Sequence, residues 1–122
     1  MKSAINWFEI PASDFERAKT FYETVLDIKM TEPFPGMKYA LFPSEPAEGG
    51  VGGGLLEETG YEPSQQGSLI YLNGGDDLAV PLARVEAAGG KIQLPKTAIG
   101  SNGFTARFTD TEGNRVALHS MQ

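Results

Sequence analysis

A strand that stops at a turn and feeds an amphipathic helix occurs twice in this sequence, with a shift of 63 residues. In the first copy Trp7-Phe8-Glu9-Ile10 is rich in strand-forming residues, and Pro11 ends it. Ser13 followed by Glu16 reads as a capping box, with Asp14 well placed at the positive end of a helix. Phe15, Ala18, Tyr22, Val25 and Leu26 then fall on one helical stripe. In the second copy, Ser68–Asn73 leads into a helix expected over Leu78–Ala88, striped by Leu78, Leu82, Val85 and Ala88 and closed by Gly89-Gly90. Pro81 fits only the first turn of that helix, which makes Asp77 or its neighbour the cap. Asp14 corresponds to Asp77 and Asp27 to Gly90. A strand and a one-sided helix cannot bury their apolar faces alone, so each copy needs partner strands.

Those partners follow each helix. Ile28–Thr31, Lys38–Phe42 and Val51–Glu57 come after the first, and Lys91–Leu94, Phe104–Phe108 and Arg115–Ser120 after the second. Each half reads β-α-β-β-β, over about 1–60 and about 67–122, with Gly60–Gly67 as linker. The fold class expected is α+β, two βαβββ modules forming a cupped mixed sheet within one 122-residue domain. The glycine run Gly49–Gly54 lacks the Lys-Ser/Thr of a phosphate loop and opens no helix, so it marks a bulge or a close approach within a strand.

Composition removes several functions. Cysteine is absent, and with it disulfides, thiolate nucleophiles and thiolate metal sites. A net charge of −6, with 10 basic residues scattered among 16 acidic ones, argues against nucleic acid as a partner. No apolar run approaches the roughly 20 residues that span a bilayer, so no membrane partner is expected. With no secretory signal at the N-terminus, a cytoplasmic location is expected.

Three segments together resemble the vicinal oxygen chelate superfamily, home of glyoxalase I, bleomycin-resistance proteins and extradiol dioxygenases. They are Ile10–Ala18 with Phe21-Tyr22, the helix end Arg84–Gly90, and Asp110–Leu118. The Trp7-Phe8-Glu9 opening looks most like the small bacterial branch related to lactoylglutathione lyase. The resemblance implies a cup built from paired modules, commonly in a homodimer. It also implies one divalent metal held by His or Glu from the first and last strand of each module. Counted along this chain, those positions are Trp7, Gly54, Ile70 and Ala117, none of them a metal ligand. No cofactor is therefore expected, a divalent metal being possible only if other side chains hold it.

Strand alternation supplies the remaining candidates. If Trp7 faces the cup, so does Glu9; if Ala117 does, so do Arg115 and His119. Glu9 reads as a general base whose pKa an apolar cup would raise, or as a rim carboxylate. His119 reads as a proton shuttle, or as a strand-end side chain in water. Arg115 could orient a ligand carboxylate. Trp7 either fills the cup or stacks on a planar guest, with Gly54 and Ala117 expected to leave room. Ile70, Leu72 and Phe104, with Leu56 and Tyr39, are expected as walls. The function expected is metal-independent binding of a small, partly apolar molecule. The alternatives are a lyase or isomerase using Glu9 as base, and a dimeric interaction module whose cup is filled.

Overall fold

The computed structural model describes residues 1–122. In chain order the elements are β1 (Trp7–Pro11), α1 (Phe15–Leu26), β2 (Tyr39–Phe42), β3 (Gly52–Leu56), β4 (Ile70–Asn73), α2 (Ala79–Leu82), β5 (Lys91–Ala98), β6 (Phe104–Thr109) and β7 (Arg115–Ser120). They form two sheets, β1-β3-β2 (sheet A) and β4-β7-β6-β5 (sheet B). In each, the first and last strands of the half run parallel and the rest antiparallel. The expected fourth strand of the first half, Ile28–Thr31, is reduced to one bridge between Thr31 and Leu41.

The helices lie between the sheets. Tyr22 of α1 packs edge-on against Phe42 of sheet A, and Phe21 packs against Phe108 of sheet B. One cluster of 19 buried residues draws on both halves, so the inner faces share a single core. Each sheet's other face therefore points away from the core, and the two open faces look away from each other.

The start of α1 differs by one residue from the sequence expectation, because tertiary carboxylates take over the capping. Asp14, not Ser13, is the N-cap, and its carboxylate accepts from the Arg17 N–H. Glu112 reaches back from the β6–β7 turn to accept from the Ser13 and Asp14 N–H groups, and Glu57 accepts from Phe15. Three orphan donors of the helix start, those of Asp14, Phe15 and Arg17, are satisfied this way. The second helix is shorter than its periodicity suggests. Pro81 supplies no N–H, and the ladder changes at Arg84 and Val85, whose N–H groups donate three residues back to Pro81 and Leu82, so the chain coils on to Gly89 in turns.

Glu112 also forms an ion pair with Arg17 at 2.7 Å, its own side chain fully covered. Burial alone would raise its pKa, but the Arg17, Asp14 and Thr111 bonds outweigh burial and hold it below the ordinary value. A carboxyl depressed on folding stabilises above its unfolded pKa, and that stability is lost as pH falls through the folded pKa. Glu112→Gln is expected to cost about 1 kcal/mol at neutral pH, the exposed guanidinium being screened by water. It should also flatten the acid limb of the melting temperature against pH below the ordinary carboxylate range. An acid limb identical to that of the parent protein would refute this role.

Candidate functional site

Sheet A's open face is organised by three consecutive glycines. In β3, Gly52 lies opposite Trp7, Gly53 opposite Phe8 and Gly54 opposite both Glu9 and Leu41. A Cβ on Gly52 would press on the Trp7 ring, one on Gly53 would collide with the Phe8 ring, and one on Gly54 with the Tyr39 ring. The glycines thus exist to let three aromatic rings lie on the sheet, Trp7 and Tyr39 on the open face and Phe8 on the core face. Gly54 is a seat for Tyr39 rather than the open space expected opposite the indole.

A chain of hydrogen bonds fixes these rings. The Trp7 indole N–H donates to the Tyr39 hydroxyl at 2.9 Å, and that hydroxyl donates to the Glu9 carboxylate at 2.8 Å. Phe34 packs edge-on against Tyr39. Burial, and next the bond to Glu9, hold the Tyr39 phenol above its ordinary pKa, with the Trp7 bond working the other way. The phenol is therefore a neutral donor at neutral pH. Trp7 keeps 48 % of its surface exposed, so its indole is held in orientation yet left available. A concavity of about 440 Å³ opens beside Tyr39 and Leu56 at one end of this sheet.

On sheet B the register corrects part of the sequence count. Gly54 and Ala117 are 63 residues apart, whereas the residues opposite them, Glu9 and Tyr71, are 62 apart. That one-residue slip turns the whole of β4 over. Ile70 and Leu72 point into the core, and Tyr71, 54 % exposed, stands on the open face. Phe104, expected as a wall, also packs on the core side, with the Lys96 ammonium 4.4 Å from its ring centre. Ala117 is on the open face but fully covered, flanked by Tyr71 and Arg107, so it too leaves no vacancy.

Arg115 and His119 share that face with Ala117, as alternation requires, since Val116 and Leu118 are in the core. The His119 Nε2 lies 2.6 Å from the Asn102 carbonyl, an acceptor, which assigns the proton to Nε2. Glu9 and His119 thus stand on open faces that look apart, and one chain does not bring them together. The Glu9–Tyr39–Trp7 chain is not legible in the sequence, where Tyr39 is only a candidate wall. Arg107 also stands on the open face of sheet B, and the alternation of Ala106 and Phe108 is the sequence signal for it.

Asp110–Asn114, in contrast, builds structure. The Asp110 carboxylate, buried, accepts from the Tyr22 hydroxyl at 2.5 Å, from the Glu112 and Asn114 backbone N–H groups, and from the Asn114 side chain. Asn114 in turn donates to the Pro11 carbonyl and accepts from the Ser64 N–H, tying β1 and the linker to the hairpin. The four places where the resemblance implies metal ligands hold none in this chain. Trp7, Gly54, Tyr71 and Ala117 present no imidazole or carboxylate, and no three His, Asp or Glu side chains of the chain converge. A larger cleft, about 640 Å³, runs between the halves from Phe8 and Phe42 to Pro81 and Arg84, away from both open faces. No helix is long and apolar enough to cross a membrane.

Comparison with known proteins agrees with this architecture. A glyoxalase/bleomycin resistance protein from Albidiferax ferrireducens T118 superposes with a TM-score of 0.75 at 17% identity, over 95% of this chain and 97% of that one. A glyoxalase/bleomycin resistance protein/dioxygenase family enzyme from Burkholderia phytofirmans PsJN gives 0.74 at 15% identity, over 96% and 98%. The fosfomycin resistance protein FosX from Listeria monocytogenes gives 0.68 at 15% identity, over 98% and 92%. At these identities the likeness is one of fold. No curated protein matches the chain. The family model of the Glyoxalase/Bleomycin resistance protein/Dioxygenase superfamily matches residues 4–118, and the chain belongs to that superfamily.

Proposed function

We propose that this protein binds a small, planar, partly apolar molecule on the open face of sheet A, without a metal. The observation that carries this reading is the Trp7 indole, half exposed and locked in orientation by Tyr39 and Glu9. A ring held rigid before a guest arrives costs little ordering on binding, and stacking adds to apolar burial. The open faces need a cover, and a second copy supplies it most simply: sheet A of one protomer opposite sheet B of its partner closes a cup. The edge strands β1 and β4, each paired on one side only, suit such an assembly. We place the assembly in the cytoplasm.

Trp7 is the only tryptophan, so its fluorescence reports this face directly. Titration with a planar aromatic such as 1-naphthamide is expected to quench or shift the emission saturably. In Trp7→Ala, calorimetric binding of the same probe should be lost, about tenfold or more in affinity, at unchanged fold. Absence of saturable binding to the parent protein would sink the reading.

The Glu9–Tyr39 bond favours a second reading, in which Glu9 takes a proton from a bound substrate while the neutral phenol donates one, as a lyase or isomerase requires. Glu9→Gln separates the two. Binding would leave affinity for the neutral probe intact, whereas catalysis would lose turnover of any substrate found while binding survives.

A further inference from the structure

The protein is acidic, with a net charge of −6, yet sheet B's open face gathers cations. Ala106 and Phe108 enter the core, so Arg107 stands on the open side of β6; Val116 likewise leaves Arg115 there on β7. Arg107 lies opposite Ala117, and Arg115 lies opposite Thr109, which in turn faces Lys91 on β5. Arg107 and Arg115 are thus diagonal neighbours on adjacent strands, with Cβ atoms roughly 7 Å apart. His119 and Thr105 form the next row of the same face.

None of these cations has an acid partner. The ion pairs of the chain engage Arg17, Lys19, Lys38 and Lys96, all elsewhere. Arg115 Nε is buried without a hydrogen-bond partner, and the Arg115 Nη2 reaches only the Gly67 carbonyl, at 3.4 Å. Two unpaired guanidinium groups carried on one face of a sheet repel each other, and their planar forks match the oxygens of a carboxylate or phosphoryl group. A second copy does not remove that demand. The carboxylate that its sheet A would offer, Glu9, already accepts from Tyr39.

We infer that the open face of sheet B binds the oxyanion group, carboxylate or phosphoryl, of a small ligand, with Arg107 and Arg115 as its two arms. This rests on the cup reading and adds a charge to it. The ligand's planar part stacks on Trp7 of the facing sheet, while its anionic end sits between the arginines.

The test is calorimetric titration of the full chain with 1-naphthoate, 1-naphthylphosphonate and neutral 1-naphthamide. At least one anion is expected to bind about tenfold tighter than the amide, the scale of a charge-assisted bidentate contact. The anion that wins names the group. Arg107→Gln and Arg115→Gln should each bring that anion to the amide's affinity and leave amide binding unchanged. Arg107→Lys, which keeps charge but loses the fork, should fall between. Melting temperatures of the Arg107 variants should match the parent, since that guanidinium has no partner within the chain. If the amide binds the parent protein as tightly as both anions, the anion site is wrong and the cup reading stands. Variants that weaken amide and anion equally overturn the site as well. If none of the probes binds the parent, both readings fall.

Discussion

Asp110→Ala is expected to cost about 3–5 kcal/mol of folding stability. The carboxylate is 4 % exposed and accepts from Tyr22, Glu112 and Asn114. Truncation strands the Tyr22 hydroxyl in a fully buried site, and an unmade buried hydrogen bond costs about 1–3 kcal/mol by itself. The damage spreads because Asn114 loses the anchor that orients it toward Pro11 and Ser64, loosening the joint between the halves. Such a loss is a large share of the roughly 5–15 kcal/mol that holds a domain of this size. Urea denaturation should show a lowered midpoint, with Asp110→Asn retaining part of the stability because its amide oxygen still accepts. A loss below about 1 kcal/mol for the alanine variant would contradict the assignment, given the usual cost of orphaned buried donors.

Gly53→Ala comes next, at about 2–3 kcal/mol, the cost of forcing one carbon into a packed core. The new Cβ would occupy the space of the Phe8 ring, whose centre lies 5.3 Å from that of Phe42, so the ring must shift toward the cleft between the halves. The control is a double-mutant cycle. Phe8→Ala alone should destabilise, but the pair Phe8→Ala with Gly53→Ala should cost clearly less than the sum, since the ring that clashes is gone. Simple additivity would mean that Gly53 is retained for its backbone freedom and not for the ring above it. Because Gly52 and Gly54 seat Trp7 and Tyr39 in the same way on the other face, a positive result extends to the proposed binding surface.

The repeat, the order of strands and helices apart from Ile28–Thr31, and the family are legible in the residues, because each rests on patterns that act within single elements. Alternation along Arg115–Ser120 put Val116 and Leu118 inside and His119 outside, where they are found. Relations that cross from one strand to another are not written in either strand. The face of β4 depends on its register against β7, and a single-residue slip moved Tyr71 to the open side and Ile70 and Leu72 to the core. The glycine run signals a close approach, but which rings approach it is a matter of β1 and β2 arriving from elsewhere in the chain.

What the amino-acid sequence determined by itself is therefore the local grammar: two strand-helix units, their repeat, the apolar stripes, and the lack of metal-ligating side chains at the counted positions. Those follow from periodicity and side-chain chemistry, which act over a few residues. The tertiary structure alone decided which carboxylates cap α1, which face each aromatic occupies, and that the two open faces look apart. Those follow from register and packing, where one residue of slip exchanges core for solvent and no local signal records the difference.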